Sequence, residues 1–80
     1  MMIVKPLAIE IPVTSANTVS NGQLIRIYAA SLSLVTIADS NGDVGSFTAP
    51  AGSVTFVEKR PENTISGSAT ILCTPVSYKS

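Results

Sequence analysis

The chain has 80 residues, of which 45% are hydrophobic and 12% charged, with five basic and five acidic side chains, no His and one Cys. This length supports one domain that buries only about 60 to 65% of its unfolded surface, so help from partner chains is expected. Zero net charge with scattered charges excludes a basic stripe for nucleic acid and offers little electrostatic resistance to packing between copies.

Met1 to Pro6 shows no basic segment followed by an apolar run and a cleavage site, and no apolar run approaches membrane-spanning length. Synthesis in a cytosol without a membrane partner is the expectation. Leu7, Ile9, Ile11 and Val13 alternate with Ala8 and Glu10, the period of a half-buried strand. Pro6 and Pro12 bracket Leu7 to Ile11, and proline cannot donate to a ladder, so this strand belongs at a sheet edge or crosses to a neighbouring subunit. Val13 to Gln23 is rich in Thr, Ser and Asn and closes with Asn21-Gly22, a loop ending in a turn. Residues 1–22 therefore read as an N-terminal arm, edge strand and loop, and residues 23–80 as the β-sandwich core of a single domain.

Leu24 to Ala29 reads as a strand with Ile25, Ile27 and Ala29 inward and Arg26 and Tyr28 outward or towards a contact surface. Leu34 to Val57 reads as a three-stranded meander of Leu34–Ala38, Val44–Thr48 and Ser53–Val57. Its first connection contains Asn41-Gly42, a primed-turn signal, and its second contains Pro50 and Gly52. Glu58 to Asn63 is charge-dense but balanced, a solvated turn. Ser66-Gly67-Ser68 reads as a flexible turn, and Ala69 to Tyr78 as the final strand, in which Pro75 marks a bulge or an edge. Together these predict an all-β fold, a small antiparallel β-sandwich or barrel of about six strands with an extended N-terminal arm.

The chemistry-bearing residues do not converge. Asp39, Asn41 and Asp43 have the alternation of a calcium loop, but Val44 and Pro50 stand where such a loop needs Gly and a bidentate Glu, so a hairpin turn is the reading. Cys73 alternates with Ile71 and Ala69 as a small buried hydrophobe, with no His to activate it. Glu10, Glu58, Glu62, Asp39 and Asp43 specify no carboxylate pair. Tyr28 and Tyr78, with Phe47 and Phe56, divide more naturally between core and surface than into a sugar platform. No enzymatic activity, metal or cofactor is expected from these residues.

The segments Leu24-Ile25-Arg26-Ile27-Tyr28, Val35-Thr36-Ile37-Ala38-Asp39, Gly45-Ser46-Phe47-Thr48, Phe56-Val57-Glu58-Lys59 and Thr74-Pro75-Val76-Ser77-Tyr78 carry a resemblance to small proteins of tailed bacteriophages, particularly those of marine bacteria. It covers roughly the last two thirds of the chain, and Met1 to Gln23 departs from the pattern. The resemblance implies a virion component made in the host cytoplasm, foremost a capsid cement or decoration protein and next a head-to-tail or tail accessory protein. It implies as partners further copies of the chain, in a homo-oligomer such as a trimer, and the major capsid protein. Leu7, Ile9 and Ile11, adding a strand to a neighbour, with Tyr28 and Tyr78, are the expected assembly contacts. A carbohydrate-binding or adhesin module using the tyrosines is the alternative.

Overall fold

The computed structural model describes the backbone of residues 3–79 and the side chains of residues 4–77. Among the described residues there are eight strands and no helix: β1 (Ile3–Pro6), β2 (Ile11–Val13), β3 (Leu24–Ala29), β4 (Ser33–Asp39), β5 (Gly42–Ala49), β6 (Ser53–Glu58), β7 (Thr64–Gly67) and β8 (Ile71–Lys79). All pairings are antiparallel. The larger sheet runs β1-β8-β3-β6 with β2 also on β8, and the smaller runs β5-β4-β7. The all-β antiparallel expectation holds, and of sandwich and barrel it is the two-sheet form that is found, with more strands than the six foreseen.

Alternation decides what lies between the sheets. Ile25, Ile27 and Ala29 of β3, Ile71 and Cys73 of β8 and Val13 of β2 face Val35 and Ile37 of β4, Ala49 of β5 and Ile65 of β7 in one core cluster. Phe47 of β5 and Val57 of β6 pack against it only half-buried. Fully burying one such aliphatic side chain stabilises the fold by about 1.5–3 kcal/mol, so this cluster supplies most of the driving force.

The N-terminal segment is built differently from the strand expected over Leu7 to Ile11. Residues 3–6 pair with β8 in one register (Ile3 opposite Lys79, sum 82), and residues 11–13 in another (Ile11 opposite Cys73, sum 84). Leu7 to Glu10 bulge between them. The cause is Pro75: Leu7 N donates to the Pro75 carbonyl at 2.8 Å, but Pro75 has no N–H to return the bond, so the ladder breaks there. Leu7 and Ile9 are then 58% and 86% exposed rather than on a buried face. The arm pairs within its own chain.

The expected meander also gives way. β4 and β5 form the foreseen hairpin, but β6 leaves it and pairs with β3 in the other sheet. β6 alternates throughout and β5 only at its end, where Phe47 is half-buried, Thr48 exposed and Ala49 buried, and the Pro50 turn carries the chain from one layer to the other. In the hairpin turn, Ser40-Asn41 rather than Asn41-Gly42 are the central residues, since Asp39 pairs with Gly42. Asp39 Oδ1 accepts from Asn41 N at 2.8 Å, and Gly42 alone takes positive φ, 124°. A register shift follows between Ile37 and Ala38, leaving Val44 as an extra residue.

Ser66-Gly67, read as flexible turn, belong to β7, which pairs with β4. A Cβ on Gly67 would stand 2.7 Å from the Ala69 carbonyl and 2.9 Å from Ser33 Oγ. The gap is filled by Ser33, whose Oγ donates to Ala69 O and accepts from Ala69 N. The loop 14–22 closes this side through Asn17, which exchanges two main-chain bonds with Ile65. It turns at Val19, Ser20 and Asn21, all at positive φ near 55°. Such a conformation costs a β-branched residue about 1–2 kcal/mol, offset here by complete burial of Val19 and by Asn17 Oδ1 accepting from Val19 N.

Two strand glycines provide a matched test. Gly45 has nothing within 4 Å of an added Cβ. Gly67→Ala should lower urea-unfolding stability by about 1–3 kcal/mol through overpacking, whereas Gly45→Ala should be neutral or slightly stabilising. Equal effects would contradict the close approach at β7.

Candidate interaction surface

Side chains on the outer face of the larger sheet fall into rows set by strand register. One row runs Pro12, Leu72, Tyr28, Val54. The next runs Thr74, Arg26, Phe56. The bulge brings Glu10 over this second row, where its Oε2 accepts from Arg26 Nη1 at 3.3 Å and from Thr74 Oγ1 at 3.4 Å. The ion pair is more than a third exposed on both sides, so it orients these groups more than it stabilises them.

The result is a face with an apolar half and a polar half. Val54 and Phe56 are 46% and 40% exposed, and Tyr28 and Leu72 are half-buried beside them. The outer face of the smaller sheet differs: apart from Leu34 and Ala38, its rows hold Thr36, Asp43, Ser46, Thr48, Thr64 and Ser66. The smaller layer presents mainly hydroxyls, with Leu34 and Val44 exposed singly, whereas the larger presents aromatic and aliphatic groups in adjacent register positions, a composition enriched at contact surfaces.

Of the expected contacts, Tyr28 lies on this face. Ile11 is half-buried against the core, whereas Leu7 and Ile9 project from the bulge, so the three do not form one strand face. The Tyr78 side chain lies outside the described ones. Val54, Phe56 and Leu72 were missed as a group, because only the β3 pairings reveal that they neighbour Tyr28.

The polar candidates stay apart as well. Asp39 and Asn41 sit at the hairpin turn beside an open depression of about 620 Å³ that also meets Arg60, Glu62 and Asn63. An adjoining one of about 600 Å³ reaches Lys59. The buried Lys59 ammonium donates to the Arg60 and Pro61 carbonyls, each at 3.2 Å, and so clamps its own turn. Its pKa is lowered by burial, against an opposing contribution from Glu62. Asn63 Oδ1 is buried with no partner among the described residues. No group of three His, Cys, Asp or Glu that could hold a metal occurs among the described residues.

Cys73 is fully buried between the sheets. Burial pushes its thiol from 9.0 up to about 12, with the Glu10 carboxylate adding to the rise. The folded state therefore retains this proton where the unfolded chain has lost it, and the sign follows directly. Cys73 contributes stability that is complete below pH 9 and declines as pH rises from 9 towards 12. Lys59 acts oppositely: with its folded pKa below 10.5, stability rises as pH climbs through the window beneath that value. The thiol should be silent to a colour-forming disulfide reagent in the native protein at pH 8 and react fully in denaturant. Rapid native labelling would contradict the packing around β8.

Comparison of the chain with protein-family models, with curated proteins and with solved structures finds no match in any of the three.

Proposed function

We propose that this chain is a non-enzymatic structural protein of a tailed-phage virion that acts by contact, foremost as a capsid cement or decoration protein. The observation behind this reading is the outer face of the larger sheet, where Val54, Phe56, Tyr28 and Leu72 lie in neighbouring register positions with Val54 and Phe56 open to water. An 80-residue chain has little stability to spare, and leaving such groups unburied forgoes about 25 cal/mol for each Å² of apolar surface. That surface gains free energy when a lattice covers it. Zero net charge lets many copies lie side by side without mutual repulsion. The phage setting, the virion location and the shell as partner rest on the sequence resemblance, and the face is what makes a contact role physically reasonable.

A carbohydrate-binding role has one supporting observation, since Tyr28 neighbours the Arg26–Glu10 pair, an aromatic beside polar groups that could hold hydroxyls. The two readings separate by experiment. Mixed with phage heads stripped of accessory proteins, the purified chain should co-sediment saturably, and Tyr28→Ala or Leu72→Ala should weaken uptake about tenfold, the loss of one well-packed contact group. Glycan retention abolished by Tyr28→Ala, with no uptake by heads, would replace the structural reading with the carbohydrate one.

A further inference from the structure

The strands at the rims of a two-sheet domain leave rows of N–H and C=O groups unpaired unless something occupies or guards them. Three rims here are treated. On β1 and β2, Leu7 N donating to Pro75 O fixes the alternation, so Val4, Pro6 and Pro12 turn outward, and the two prolines leave Val4 as the one outward N–H among these strand residues. On β7, Ile65 and Gly67 donate to the carbonyls of Asn17 and Thr14. On β5, the extra residue Val44 breaks the regular pairing, and such a bulge blunts an edge.

The β6 rim has no such device. Its register with β3 runs without a break from Leu24 opposite Glu58 to Ala29 opposite Ser53. Lys59 N donates to Gln23 O at 2.7 Å, so Thr55 and Val57 bond to β3, while Val54, Phe56 and Glu58 turn their N–H and C=O groups outward. Those residues also carry the exposed side chains of the outer face. Among the described residues no strand pairs with that side.

We infer that this rim is the seat of a second copy of the chain: β6 pairs antiparallel with the partner's β6 about a two-fold axis, joining the two larger sheets. This deepens, and rests on, the reading of the chain as a self-assembling structural protein. Outer-face residues must meet outer-face residues across the seam, which restricts the register. Centred on Thr55, the pairing sets Val54 opposite the partner's Phe56 and Phe56 opposite the partner's Val54, with about four main-chain hydrogen bonds between them. Centring on Phe56 instead would set the Glu58 carboxylate against the partner's Val54, a poorer match.

Charge is compatible with the Thr55-centred pairing. A two-fold axis brings identical residues together, so any charge near it repels its own image. Here the axis residues are neutral, and Glu58, three residues away, would stand about 20 Å from its copy, beyond the Debye length of about 8–10 Å. A second copy therefore satisfies the backbone, the apolar pair and the electrostatics with one strand.

The test uses the full chain. Thr55→Cys, with Thr70→Cys on the β7–β8 turn as a collision control, is oxidised under a copper catalyst and followed by non-reducing electrophoresis. Thr55→Cys should form a disulfide-linked dimer about tenfold faster than the control, since directly opposed residues in a non-hydrogen-bonded pair meet the bridging geometry. Unsubstituted protein should double its light-scattering mass with concentration, and Val54→Lys should remain monomeric with an unchanged circular-dichroism spectrum. Equal cross-linking rates, or a mass that stays monomeric throughout, would overturn the pairing. If that result came with undiminished uptake by stripped heads, the pairing alone would be wrong; loss of both would remove the structural reading too.

Discussion

One missing hydrogen-bond donor shapes the half of the domain built on β8. Pro75 lies within the longest strand, and its side facing the N-terminal segment cannot return the bond that Leu7 makes to its carbonyl. The edge strand therefore divides into β1 and β2, with two extra residues between their registers. Three consequences follow: Leu7 and Ile9 are expelled to solvent, Glu10 is placed over Arg26 and Thr74, and Pro6 and Pro12 are left facing outward. A single proline in the central strand thus guards the rim beside it and organises the polar half of the outer face.

The opposite side of the sandwich is less finished. Around β7 the main-chain groups are taken by Asn17 and Thr14, and the core residue Ile65 is wholly covered. Around β5 and β6, Phe47 and Val57 remain half-buried, and Val54 and Phe56 stand in water. Small domains are held by few apolar contacts, so an asymmetry of this kind is costly to the isolated chain and would be relieved by the partner proposed above. That is the physical link between the fold and a role in assembly.

Much of this was legible in the residues, and the limits have identifiable causes. Strand β3 was readable to its ends because Ile25, Ile27 and Ala29 alternate cleanly with Arg26 and Tyr28. The buried, inert place of Cys73 followed from the same period. The bulge opposite Pro75 was foreshadowed by that proline, but its position on the partner strand depends on pairing between residues far apart in sequence. Alternation gave Leu7 and Ile9 an inward face that the lost N–H denies them. The meander failed because Ala49-Pro50 reads equally as a hairpin turn and as a passage between layers. Strand β7 was hidden because Ser66-Gly67 have turn composition, and only Ser33, more than thirty residues away, reveals why glycine stands there. The outer-face group escaped notice for a related reason: Leu72, Tyr28 and Val54 become neighbours through two long-range registers.

One rim is open while the others are occupied or guarded, and amide hydrogen exchange resolved by residue distinguishes them. In dilute solution, where the chain is monomeric, the amides of Val54 and Phe56 should exchange at rates close to those of an unstructured peptide. Those of Thr55, Val57, Ile65 and Gly67 should be protected. Equal protection of Val54 and Thr55 in the dilute monomer would mean that something in the chain itself already covers β6, and the account of the open rim would be wrong.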